Sequence, residues 1–136
     1  MKTMSKIALC LTLGLMSAGA VAGLYLAQPV TVDLVAQSAQ GDMWSARYSS
    51  TDDAFIGCGV TSVDDGTQFA FCQALDAEGD LILCAVDSAI LIESIKSITS
   101  DSVILFLWDD TGLCTVINVA TQSYAIRRTR NVNWGL

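Results

Sequence analysis

Histidine is absent from these 136 residues, proline occurs once, at Pro29, and no two cysteines are spaced as C-x-x-C. A serine or cysteine nucleophile usually needs an imidazole base, so the absence of histidine argues against the Ser-His and Cys-His hydrolases. The same two absences remove the usual ligand sets for structural zinc, and neither metal nor cofactor is expected. Cations are scarce: seven Lys and Arg stand against 14 Asp and Glu, for a net charge of −7. Phosphate backbones require a cationic surface, which excludes nucleic acid as a partner. A Gly-rich phosphate loop and a heptad repeat are also missing.

The chain does contain an export signature. Lys2 and Lys6 precede an apolar run from Ile7 to about Met16, followed by Ser17-Ala18-Gly19-Ala20-Val21-Ala22-Gly23. The run falls short of the roughly 20 residues that span a bilayer, and Ala20 and Ala22 satisfy the small-residue rule for cleavage. Residues 1–22 therefore read as a cleaved signal peptide, with a periplasmic or extracellular destination and no membrane span afterwards. Cleavage discards Cys10 and leaves Cys58, Cys72, Cys84 and Cys114, an even number in an oxidising compartment, so two disulfides are expected. It also discards Lys2 and Lys6, which leaves five cations against 14 acids.

Three turns set the register. Val63-Asp64-Asp65-Gly66, Asp76-Ala77-Glu78-Gly79 and Asp109-Asp110-Thr111-Gly112 each place Gly fourth. That position suits a type I turn followed by a left-handed Gly, with the first turn residue opposite the one after Gly. Counting outward, Cys58 faces Cys72, Cys72 faces Cys84, and Trp108 faces Cys114. Parity puts Cys58 and Cys72 on a non-hydrogen-bonded pair, where strands approach more closely, and puts Cys72 and Cys84 on a hydrogen-bonded one. Bonds Cys58–Cys72 and Cys84–Cys114 are favoured for that reason; Cys72–Cys84 with Cys58–Cys114 is the alternative.

Residues 23–50 read as an N-terminal arm or added edge strand, because Val30–Leu34 and Trp44–Tyr48 both alternate at the strand period. Residues 51–124 form the domain proper, and residues 125–136 a basic tail containing Arg127, Arg128, Arg130 and Trp134. Strands are expected over Phe55–Ser62, Thr67–Leu75 and Asp80–Val86. A helix capped by Asp87 or Ser88 follows, with Leu91, Ile92, Ile95 and Ile98 as its apolar stripe. Two further strands, Ser102–Trp108 and Leu113–Ala120, complete a βββαββ order. A helical crossover would make the third and fourth strands parallel, with the fifth between them. The expectation is an α+β fold: a single antiparallel-rich sheet, strand order 1-2-3-5-4, one helix on one face, held by disulfides.

Sorting by the period of two leaves both faces of that sheet apolar. One carries Phe69, Phe71, Leu81, Leu83, Leu105, Leu107 and Ile117 and is assigned to the helix. The other carries the cysteines with Ile104, Phe106, Trp108 and Val116. One helix cannot cover two faces, and bare apolar patches beyond a few hundred Å² are unusual on monomers. Ile104, Phe106, Trp108 and Val116 are therefore the candidate interaction face, to be covered by the arm, the tail or another molecule.

The remaining chemistry is carboxylate. Asp52-Asp53, Asp64-Asp65 and Asp109-Asp110 are paired as an acid and base would be, but each pair lies where Asp is ordinary turn chemistry. Asp76, Glu78, Asp80 and Asp87 imitate an EF-hand loop without the Gly required at its sixth position, which Leu81 occupies. The function expected from the sequence is protein–protein interaction or self-assembly by a small exported, disulfide-bonded protein. An exported carboxylate-dependent hydrolase and a monomeric ligand- or protease-binding module are the alternatives.

Overall fold

Each Asp-to-Gly turn folds as its residues dictate. Gly66, Gly79 and Gly112 take φ of 89°, 94° and 82°, a region that residues with a Cβ enter only at a steric cost. The first residue of each turn then donates its N–H across the hairpin mouth, Val63 to Thr67 at 2.8 Å, Asp76 to Asp80 at 3.2 Å and Asp109 to Leu113 at 3.0 Å. Cys72 consequently lies opposite both Cys58 and Cys84.

The computed structural model describes residues 26–51 and 53–124. The expected leader, the basic tail and Asp52 lie outside the described residues. Strands β1 (Thr31–Asp33) and β2 (Ser38–Asp42) are followed by helix α1 (Met43–Arg47). Then come β3 (Phe55–Ser62), β4 (Gln68–Leu75), β5 (Leu81–Val86), helix α2 (Ala89–Lys96), β6 (Ser102–Trp108) and β7 (Cys114–Thr121). Among these residues no helix is long and apolar enough to cross a membrane.

The strands form two sheets, β1-β2-β6-β7 and β3-β4-β5, and not the single sheet expected. The order 1-2-3-5-4 fails at the predicted junction. Beside β5 the backbone pairing is an isolated bridge from Ala85 to Leu113, just before β7, and that bridge is parallel where the crossover argument required antiparallel pairing. Stacking is the better solution for a chain whose strands are apolar on the cysteine side. One sheet laid on another removes both of those faces from water, whereas side-by-side extension would leave them for a single short helix to cover.

The arm supplies the strands that make the second sheet. β2 pairs antiparallel with β6 from Ser38↔Leu107 to Asp42↔Val103, and β1 pairs with β2 at the edge. Gly41 is required here, since a Cβ on it would meet the Val30 Cα at 2.9 Å. Trp44–Tyr48, which alternates like a strand, is instead mostly helical. Asp42 caps the turn by accepting the Ser45 N–H, and the Trp44 and Tyr48 rings, one helical turn apart, sit 4.3 Å from centroid to centroid. The same buried carboxylate accepts the Gln28 N–H at 2.7 Å and so anchors the start of the described chain.

Both sheets close over one core. Ile56, Ala70, Cys72, Ala74, Cys84 and Val86 come from the three-stranded sheet, and Ala39, Ile104, Phe106, Trp108, Cys114 and Ile117 from the four-stranded one. Ile92 and Ile95 of α2 join the same cluster. The helix therefore packs on the cysteine side, not over the Phe69 and Leu83 side assigned to it.

Candidate interaction surface

One cross-link and one carboxylate join the layers. Cys58–Cys72 ties β3 to β4 within a sheet, whereas Cys84–Cys114, with Cα atoms 5.2 Å apart, ties β5 of one sheet to β7 of the other. Asp76 makes a second joint, at the β1 edge of the four-stranded sheet. It is 5% exposed, and one carboxylate oxygen accepts the Val32 N–H of β1 at 3.0 Å. The other oxygen accepts the Glu78 and Asp80 N–H groups of its own turn at 3.1 and 2.9 Å. A turn residue by sequence is thus also a rivet between sheets.

The expected interaction face lies in the interior. Ile104 and Phe106 are fully buried and Trp108 nearly so, its ring 6.0 Å from that of Phe106. Val116 is turned out, at 43% exposed, because a β-bulge follows Leu107. Trp108 pairs with Cys114 but Leu107 pairs with Val116, leaving Thr115 as the extra residue. One inserted residue reverses the parity of everything beyond it. Ile117 accordingly faces Phe106 in the core, and Val116 joins Leu107 on the outer side.

The face left open is the outer side of β3-β4-β5. Its rows, read from the pairing, are Phe55-Leu75-Leu81, Gly57-Gln73-Leu83, Gly59-Phe71-Ala85 and Thr61-Phe69. No charged residue occurs in any of them. Phe69 and Leu81 are 61% exposed and Leu83 is 58% exposed. The Phe71 ring lies over Gly59, where an added Cβ would come within 3.0 Å of it. At Gly57 an added Cβ would meet nothing within 4 Å, so this position on the face is open. Sequence alternation identified these residues as one face and assigned them a cover that the fold places elsewhere.

Acids rim this surface. Asp64 and Asp65 lie in the β3–β4 turn, Glu78 and Asp80 at the β4–β5 turn, and Asp87 just after β5, all exposed. The hydroxyl of Thr67, and then its N–H, hold the Asp65 carboxyl below its ordinary value. Thr111 does the same for Asp109, followed by the Leu113 N–H. Both are interactions within the turns themselves.

A groove of about 770 Å³ gathers Asp33, Asp76, Glu78 and Asp80. Carboxylate catalysis would need such a gathering, but Asp76 is engaged by three N–H groups, and Asp33 accepts those of Val35 and Ala36. Of the pairs singled out as acid and base, Asp64-Asp65 and Asp109-Asp110 lie in separate turns; Asp110 accepts from the Gln37 side chain at 2.7 Å. Among the described residues no group of three or more His, Cys, Asp or Glu is placed to hold a metal ion. Comparison of the chain with protein-family models, curated proteins and solved structures finds no match.

Proposed function

We propose that this chain is an exported binding module that acts by protein–protein interaction through the outer face of β3-β4-β5. One observation carries the reading: three adjacent strands present a face with no charge in any row and with Phe69, Leu81 and Leu83 more than half exposed. Water in contact with a continuous apolar sheet is costly, at roughly 25 cal/mol per Å², and such faces on stable domains mark docking sites. The acidic rim selects the occupant. A polypeptide that carries basic residues beside an aliphatic or aromatic anchor matches it, and another acidic rim does not. Two disulfides and the sequence leader support an export route for a domain of this size.

Capture on the immobilised full chain tests this, with exported proteins of the native source as input and mass spectrometry to identify what binds. Phe69→Lys/Leu83→Lys should keep the melting temperature and lose the specifically bound protein. Gly57→Val adds a side chain at an open position of the face without removing a group and should weaken capture at least tenfold. Undiminished capture by both variants, with the fold intact, would sink the proposal.

A further inference from the structure

We infer that the resting occupant of this face is the chain's own segment 125–136, folded back over β3-β4-β5 of the same molecule. The inference rests on the binding-face reading above and names what sits there before a partner arrives.

Charge is the first argument. Segment 125–136, AIRRTRNVNWGL, has Arg127, Arg128 and Arg130 and no acid. The face it would cross is uncharged and ringed by Asp64, Asp65, Glu78, Asp80 and Asp87, with no cation in its rows. Elsewhere among the described residues the cations are Arg47 and Lys96, and Lys96 is paired with Glu93 at 2.6 Å. Ile126, Trp134 and Leu136 supply apolar side chains that an open apolar sheet can bury.

Position is the second argument. Tyr124, the last described residue, accepts the Leu26 N–H at 3.0 Å. Ala27, next in the chain, lines a groove together with Ala77 of the β4–β5 turn. The chain therefore leaves the described body near the end of the three-stranded sheet where Glu78 and Asp80 are exposed. Twelve extended residues reach about 40 Å, whereas a strand of eight residues covers about 27 Å. The segment has length to turn the sheet edge and run along the face.

The same molecule is favoured over a neighbour for two reasons. A tethered segment acts at an effective concentration on the order of millimolar. Two copies, each with an excess of acids, must also bring their negative bodies together to exchange segments.

Photocrosslinking on the full chain tests the inference. A benzophenone amino acid replaces Leu83, an exposed side chain on the face, and crosslinked peptides are mapped. The expected product is a monomer in which position 83 is joined to residues 125–136, and this product should fall at least fivefold in Arg127→Glu/Arg128→Glu/Arg130→Glu. The triple variant should also bind more of a hydrophobic dye. Crosslinks to 125–136 found only in covalent dimers would overturn occupancy by the same molecule. Crosslinks confined to other segments, or a yield indifferent to the triple variant, would overturn the segment as occupant. If the inference fails while Phe69→Lys/Leu83→Lys still abolishes capture, the binding-face reading stands alone.

Discussion

Replacing Asp76 separates its role as a rivet from its role in a turn. Its two oxygens serve different customers, Val32 N–H of the other sheet and the Glu78 and Asp80 N–H groups of its own turn. In Asp76→Asn the amide can keep an oxygen toward the turn only by presenting its NH₂ to the Val32 N–H; reversed, it forfeits both turn bonds. The first orientation loses less. A buried donor without a partner costs about 1–3 kcal/mol, so Asn should destabilise by about 2 kcal/mol. Asp76→Ala loses all three bonds, but the turn groups are partly exposed and water replaces some of what is lost. It should cost about 3–4 kcal/mol, by the same scale. Against a total stability of roughly 5–15 kcal/mol, either loss is easily read from urea denaturation with the disulfides intact. Hydrogen exchange supplies the local test, since the Val32 amide should lose protection in both variants and the Asp80 amide chiefly in Asp76→Ala. Losses below 0.5 kcal/mol for both, or an unchanged Val32 amide, would show that packing alone holds the sheets at the β1 edge, with Cys84–Cys114 at the opposite one.

Two further outcomes are expected. Asp109 is held below its ordinary value of 3.8 by Thr111 and Leu113, so its contribution to stability is full above the unfolded value and lost as pH falls through the folded one. Asp109→Asn should therefore be less stable than the parent at pH 7, with the gap closing in acid; equal gaps at pH 7 and pH 2 would refute the linkage. Gly41→Ala brings a Cβ to 2.9 Å from the Val30 Cα, a backbone atom that cannot swing aside. Overpacking of this kind costs about 1–3 kcal/mol, and a denaturation midpoint equal to the parent's would show that the β1 lead-in moves freely.

Local structure was legible because its causes are local. Turn residues specify left-handed glycines, hairpins inherit their register from turns, and the register places Cys58 beside Cys72. The strands Phe55–Ser62 and Ser102–Trp108 appear at their expected limits. What depends on distant partners was not legible. Trp44 to Tyr48 alternates like a strand but begins after Asp42, whose carboxylate caps a helix and holds Gln28. The arm pairs with β6, a partner more than 60 residues away on average in sequence, and no pattern within the arm names it.

Ile104, Phe106 and Trp108 lie inside for a reason that also favours another face. Alternation divides a strand into two sides but does not say which side is inside, and β6 is apolar on both. A cystine between strands of different sheets supplies the missing information, because Cys84 and Cys114 can meet only in the space between the layers, and residues sharing their parity, once the bulge at Thr115 is counted, must be interior. That argument buries Ile104, Phe106 and Trp108 and turns the opposite side of each sheet outward. The two outward sides then differ. On the four-stranded sheet, Leu107 and Leu105 are half-buried and stand in rows with Ser38, Gln40 and Asn118, so polar side chains interrupt the apolar ones. On the three-stranded sheet the outward rows contain only Gln73 and Thr61 as polar residues, and Phe69, Leu81 and Leu83 stand open. Solubility alone would favour polar residues on both sides, since outward positions carry no packing constraint. The asymmetry places the demand for an apolar surface on β3-β4-β5, where an occupant can be covered on one side by the sheet and bounded by its acidic turns.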